Sequence, residues 1–280
     1  MNRNFILLIL FFLICSAYSQ TISETISFRF IYDVQAKKYM KSKTLSSDEH
    51  WLDIGENGVS KYYSIWKEKA FNIKDSINRI GGSSEDSNKA RYELSTEHSN
   101  FPYYVFKNYP HAGKQTVNYI SMEHFQYQES MGQEWDLVEG DTIILDHPCQ
   151  KAVCKYHGKV WYAYYTTDIP IFDGPWKLCG LPGLIMKAYD DTGGVCFNCV
   201  GIQLQVEGEL MMRDNKSIKL KPEQAHKLIM QIDNDPDGYL ATKGHFGKAK
   251  VIDQHGREMT VNFSFPQPFY YEYYSTEKDK

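Results

Sequence analysis

The chain has 280 residues, a formal net charge of −4 and a content of aromatic residues, chiefly tyrosine, of 15%. This mild acidity argues against nucleic acids and anionic membranes as partners, because both are polyanions that select basic surfaces. The length suits one large domain or two, and the aromatic content favours pleated, half-buried β-structure.

The first 19 residues are predicted to be a secretory signal peptide. Arg3 supplies the positive start, residues 5–14 form an apolar stretch too short to span a bilayer, and Ala17-Tyr18-Ser19 is a small-residue cleavage site. No later stretch approaches about 20 uninterrupted apolar residues. We therefore expect an exported chain, soluble or surface-associated, in which residues 20–280 carry the fold.

The mature chain opens with a long strand and contains two segments of helical periodicity. Residues 26–34 alternate apolar and polar side chains, which is typical of a half-buried strand. Apolar residues at helical spacing predict one helix over 66–80 and a second that begins near Pro222. Further strands are predicted at 51–54, 59–64, 103–108, 115–121, 125–129, 135–138, 142–145, 153–156, 159–166, 184–189, 195–206 and 259–263.

This order of elements predicts a mainly β protein with two helices, of the α+β class. The economical architecture is one strongly curved antiparallel sheet, rolled toward an incomplete barrel or bowl and packed by the helices. No internal repeat, linker or low-complexity block divides residues 20–280, so we expect a single domain. An aromatic segment over 266–274 follows the last strand.

A loop rich in proline and glycine occupies residues 170–183. Leu181-Pro182-Gly183-Leu184 predicts a type II turn, because proline presets φ at the second position and glycine accepts positive φ at the third. The loop could present apolar groups to a partner, or it could lie beneath the sheet and set the register of the strand that follows. Strand geometry alone explains each glycine and proline, which favours the structural role. The candidate residues are Trp176, Gly180, Leu181, Pro182, Gly183, Leu184 and Ile185.

The hexapeptide at 180–185 resembles the signature of the GLPGLI family of exported bacterial proteins. The sequence Cys-Gln-Lys-Ala at 149–152, the tyrosine-rich stretch at 161–170 and Gly-Pro-Trp at 174–176 are similar to further family elements in the same order. Tyr164 stands where the family often has tryptophan. The family is essentially uncharacterised, and its members are often encoded beside TonB-dependent outer-membrane transporters. The resemblance therefore implies a protein of the periplasm or the outer-membrane surface.

Five cysteines remain after the signal is removed, and an oxidising compartment favours disulfides. At least one bridge is expected among Cys149, Cys179, Cys196 and Cys199, which surround the signature loop and the hairpin after it. The odd number leaves a thiol over, and the spacing does not select the pairing. Cys196-x-x-Cys199 also has redox or zinc spacing, but it follows a hairpin turn and lacks a second pair.

The segment 233–238, Asp-Asn-Asp-Pro-Asp-Gly, resembles the start of an EF-hand calcium loop. Asp233, Asp235 and Asp237 occupy the first three ligand positions, but Gly244 stands where a bidentate glutamate belongs. Calcium is thus one interpretation, and a solvated acidic turn that caps the preceding helix is the other.

Two functions are consistent with these patterns. No metalloprotease, serine hydrolase or nucleotide-binding motif is present, which together with the signal peptide favours a non-enzymatic accessory or binding protein of the cell envelope. Its partner would be an envelope protein, an outer-membrane transporter or a small ligand. The alternative is an exported hydrolase whose acidic or Cys/His site assembles only in three dimensions. The acidic candidates are Glu134, Asp136, Asp168, Asp173 and Asp190.

Overall fold

The structure is a computed structural model that describes residues 23–37, 41–83, 101–211, 217–243, 248–252 and 258–262. The predicted signal peptide (1–19) and the aromatic segment (266–274) lie outside these residues, as does Gly244 of the EF-hand comparison. None of the described helices is both long enough and apolar enough to cross a membrane.

The described chain is mainly β and contains one large sheet that is not closed. The strands are β1 (Ser23–Lys37), β2 (Leu45–Gly55), β3 (Ser60–Ser64), β4 (Tyr103–Lys107), β5 (Lys114–Ile120), β6 (His124–Ser130), β7 (Asp136–Ile144), β8 (His147–Tyr156), β9 (Lys159–Thr166), β10 (Leu184–Asp190), β11 (Val195–Leu204), β12 (Glu209–Met211), β13 (Ile218–Lys219), β14 (Lys248–Ile252) and β15 (Glu258–Asn262). The order in the large sheet is β13-β6-β5-β4-β3-β2-β1-β11-β10-β9-β8-β7, with β12 beside β1, while β14 and β15 form a separate pair.

The first strand is the centre of the sheet, as its alternating pattern predicts. β1 pairs antiparallel with β2 on one side and with β11 on the other. Phe30, Tyr32 and Val34 are fully buried, whereas Ile31 and Asp33 between them are only partly buried. This is the two-residue period of a strand whose one face packs against the core.

Three helices are described where the sequence predicted two: α1 (Ile65–Arg79), α2 (Pro222–Asn234) and α3 (Pro236–Thr242). The helix expected over 66–80 is confirmed as α1, except that Ile80 lies past its end and is exposed. Ala225, Ile229 and Ile232 of α2 are buried in the main core, as their spacing predicts. The additional helix forms because the Asp235 side chain caps it and Pro236 occupies its first position, where the missing N–H of proline costs nothing.

The helices lie against opposite faces of the sheet. α2 contributes to the main core, which includes Tyr62 and Tyr103. Tyr63 and Tyr104, the next residue in each strand, belong to a second apolar cluster that packs against Trp66 and other residues of α1. Because neighbouring residues in a strand point to opposite faces, β3 and β4 are buried on both sides.

Candidate functional site

The signature loop runs between β9 and β10 and is largely buried. Trp176, Leu184 and Ile185 are fully inaccessible and Leu181 nearly so, whereas Gly180 and Pro182 are exposed. The Trp176 ring packs against Trp161 with 5.3 Å between ring centroids. The apolar side chains of the signature thus point into the core.

The turn at Leu181–Leu184 is not the type II turn that the sequence predicted. Gly183 has a φ of 157°, far from the value of about 80° that a type II turn needs at its third residue. The Gly183 N–H donates to the Leu181 carbonyl at 2.8 Å, and the Leu184 N–H donates to Ile169 at 3.0 Å. Glycine is required for another reason, because a Cβ at 183 would lie 1.9 Å from the carbonyl oxygen of Thr166 in β9.

A buried ion pair connects residues 173–174 of the loop to the sheet. Lys107, the last residue of β4, is fully inaccessible, and its Nζ donates to Asp173 Oδ1 at 2.5 Å and to the Gly174 carbonyl at 2.6 Å. The other oxygen of Asp173 accepts from Ser60 Oγ at 2.6 Å. A buried lysine is tolerated only when it is paired and hydrogen-bonded, as it is here.

A second buried polar group includes Lys177 of the loop. We call it the Glu129 cluster, and its members are Glu129, Lys177, His157, His226 and Gln115. Glu129 Oε1 accepts from Lys177 Nζ and from Gln115 Nε2, both at 2.9 Å. Its Oε2 lies 3.7 Å from His157 Nε2 and 3.5 Å from His226 Nε2. The cluster joins β6, the signature loop, the β8–β9 turn, α2 and β5, so it ties five separate segments together.

The electrostatics of the cluster keep Glu129 ionised. Burial by itself would raise the pKa of this carboxyl, but the Lys177 ammonium and the two imidazoles outweigh burial and hold the pKa well below its ordinary value. Lys177 is fully buried and also donates to Tyr127 Oη at 2.7 Å. A carboxylate with a depressed pKa is a weak base and is suited to holding charge.

The donor Trp176 Nε1, beside the cluster, and the acceptor Gln115 Oε1, within it, are buried and have no hydrogen-bond partner among the described residues. Both residues neighbour Tyr156, whose hydroxyl lies 3.2 Å from Gln115 Nε2 and whose ring centroid lies 6.0 Å from that of Trp176.

The acidic residues proposed for a hydrolase make separate contacts. Asp173 pairs with Lys107, and Asp190 pairs with Lys159 at 2.8 Å inside the β10–β11 hairpin. Asp168 contacts His147 at 3.2 Å at an exposed position. Asp136, the first residue of β7, is exposed, and so is Glu134, two residues before it.

The expected disulfide is not present, because all five described cysteines are free. Cys196 and Cys199 lie three residues apart in β11, which is about 10 Å along a strand and too far for a bridge. Cys179 is in the signature loop and Cys149 in β8. Burial raises the pKa of Cys149 to about 11 and the pKa of Cys199 to about 12, so both thiols are poor nucleophiles at neutral pH.

The acidic segment at 233–238 is divided between two helices. Asp233 is buried at the end of α2, where its Oδ1 lies 3.5 Å from the Tyr119 hydroxyl. Asp235 caps α3 by accepting the Gly238 N–H at 2.9 Å, and Asp237 lies in the first turn of α3. Among the described residues, no group of three or more His, Cys, Asp or Glu side chains is placed to hold a metal ion. Calcium at Asp233, Asp235 and Asp237 stays a prediction.

Sequence reasoning missed the Glu129 cluster entirely. Its members, in the order Gln115, Glu129, His157, Lys177 and His226, lie between 14 and 111 residues apart, so no local spacing connects them. The one available signal was Lys177, a charged residue next to the apolar Trp176 in a loop rich in turn formers.

Comparison with known proteins gives a match to one family model and matches to distant solved structures, two of which are structures of PNGF-II. The family model described as "Protein of unknown function (Porph_ging)" matches residues 103–187. Two solved structures, described as PNGF-II in the P21 and C2 space groups, each share 12% sequence identity with a TM-score of 0.46. Each alignment covers 74% of this chain but only 34% and 33% of those chains, about a third of their length. No significant match was found among curated proteins.

Proposed function

We propose that this protein is a non-enzymatic accessory or binding protein of the cell envelope that acts with a TonB-dependent outer-membrane transporter, because the family model that matches residues 103–187 is that of the GLPGLI family. In this proposal the signal peptide over residues 1–19 directs export, and the mature chain works in the periplasm or at the outer-membrane surface. The sheet and its buried signature loop serve as a rigid platform for binding.

The observation that carries the proposal is the chemistry of the Glu129 cluster. Its single carboxylate is held ionised by a buried lysine, whereas a general base works best with a pKa near the working pH. The cluster therefore holds the loop, α2 and the sheet in one arrangement and is poorly suited to proton transfer. A binding surface benefits from such a rigid support.

The proposal also includes the shape of the large sheet, which we infer to be rolled toward an incomplete barrel or bowl. A hydrogen bond of 3.2 Å from Gln115 to Tyr156 supports it, because β5 and β8 are eight strands apart in the sheet order. At about 4.8 Å per strand, a flat sheet would separate them by about 38 Å.

Localisation and capture test the proposal. The full chain with a carboxyl-terminal tag is produced in a diderm bacterium, fractionated, and compared with a chain that lacks residues 1–19. We expect a mature protein that begins at Gln20 in the envelope fraction, and enrichment of a TonB-dependent transporter after chemical cross-linking in cells. A chain that stays in the cytoplasm, or that enriches no transporter above a tag-only control, would overturn the proposal.

One observation favours the hydrolase alternative. His147 Nδ1 lies 3.2 Å from Asp168, and Cys149, two residues further on, donates its Sγ–H to the His147 carbonyl at 3.4 Å. However, Cys149 is buried and its pKa is raised to about 11 by that burial, so the thiolate is scarce at neutral pH. Slow alkylation of Cys149 by iodoacetamide at pH 7 is expected. Fast alkylation, together with ester hydrolysis that Cys149→Ala abolishes, would favour the hydrolase.

A further inference from the structure

An open edge with exposed apolar side chains lies at one end of the large sheet. Among the strands that the structure describes, β7 is the outermost of the large sheet and pairs only with β8. Leu137 is 65% exposed and Ile143 is 72% exposed. The outer backbone N–H and C=O groups of such a strand have no partner in the sheet and are available to an added strand.

The two exposed apolar residues of β7 lie on opposite faces of the sheet. Leu137 is paired with Ala152, which is fully buried, and directly paired residues of an antiparallel sheet point to the same face, so Leu137 extends the core face. Ile143 is paired with Pro148, which is exposed, and its neighbour Ile144 packs against the main core, so Ile143 points to the other face. An added strand would therefore gain backbone hydrogen bonds and an apolar contact on each face.

The charge of this edge determines what kind of strand fits. Residues 134–146 contain five acidic residues and no lysine or arginine. The nearest lysine of β8, Lys151, has its Nζ 5.0 Å from the centroid of the Tyr162 ring. A second copy of β7 would bring like charges opposite one another, which destabilises strand pairing. The acids are Glu134, Asp136, Glu139, Asp141 and Asp146.

We propose that β7 is a docking edge for an extended segment of a partner protein that carries both apolar and basic residues. This inference rests on the proposed function, since it names the chemistry of the envelope partner. The partner adds a strand outside β7, with its apolar residues beside Leu137 and Ile143 and its basic residues facing the acids. The bulge between Val138 and Asp141 divides the edge into two short pairing segments, one on each side.

Peptide binding tests the docking edge directly. The probe is a fluorescein-labelled eight-residue peptide of alternating valine and lysine, and its binding to the mature protein is followed by fluorescence anisotropy. We expect binding that weakens with added salt. The double variant Glu139→Lys and Asp141→Lys should raise the Kd at least about tenfold, as should Leu137→Ser with Ile143→Ser. The matched control Leu204→Ser, which removes another exposed apolar side chain from β11, should leave the Kd unchanged.

Two further peptides separate strand addition from simple charge attraction. A glutamate–valine peptide should not bind, and a lysine–valine peptide with proline at its centre should bind at least about tenfold more weakly, because proline cannot pair as a strand. Equal binding of the proline peptide, or a Kd unaffected by the β7 substitutions, would overturn the docking edge. If Leu137→Ser with Ile143→Ser still enriches the transporter in cells, the docking edge is wrong while the proposed function stands.

Discussion

The substitution Gly183→Ala tests how the signature loop meets the sheet. The added Cβ would lie 1.9 Å from the Thr166 carbonyl oxygen, at a φ of 157° that L side chains rarely adopt. The backbone strain costs about 1–3 kcal/mol and the displacement of packed backbone about 1–3 kcal/mol more. We therefore expect a loss of about 2–6 kcal/mol in the free energy of unfolding, because the clash is with main chain that cannot rotate away.

The control is Gly58→Ala in the β2–β3 turn. Gly58 also has a positive φ, of 78°, but a Cβ there would meet no atom within 4 Å. It should lose only about 1 kcal/mol, from φ alone. Both variants are measured by urea denaturation with intrinsic tryptophan fluorescence. If Gly183→Ala is no less stable than Gly58→Ala, the close approach of the loop to β9 is refuted.

The same packing leads to five further expected outcomes. Glu129→Gln should cost about 3 kcal/mol or more at pH 7, because it leaves a buried ammonium without its counter-charge. The fold lowers the pKa of Glu129, so the stability that its ionised carboxylate contributes is complete above the ordinary value of 4.5 and is lost as pH falls below it. The free energies of unfolding of wild type and variant should therefore converge in acid. Trp176→Ala should cost about 3–5 kcal/mol in thermal unfolding. Trp176→Phe should lower the free energy of unfolding less than Trp161→Phe does. Of these two rings, Trp161 alone has an acceptor for its Nε1–H among the described residues, the Tyr156 carbonyl at 3.3 Å. Equal losses would contradict this difference in hydrogen bonding. Asp235→Ala should lower the free energy of unfolding by about 1 kcal/mol, because it removes the cap of α3. This loss should be the same in calcium and in a chelator. If calcium raises the melting temperature of the wild type but not of this variant, calcium binding is supported. Mass mapping of non-reduced peptides should find five free thiols, and any native bridge would contradict the free cysteines.

Local sequence patterns were sufficient for most of the secondary structure. The alternation over 26–34 identified β1, and helical spacing identified α1 and α2, because side-chain period reports which face of an element is buried. The bounds were less accurate where two predicted strands joined, as in β7, whose bulge keeps both halves in one strand. The family resemblance came from the hexapeptide and its flanks and needed no structure.

Contacts between distant segments decided the rest. The signature contained the residues of a type II turn, yet Gly183 is needed because the carbonyl of Thr166 approaches it from a neighbouring strand. Export predicted a disulfide, but strand register separates Cys196 from Cys199. The Glu129 cluster depends on five segments that meet only when the sheet, loop and α2 pack together. Local propensity does not determine such contacts, because they depend on which strands become neighbours and on the length of each strand.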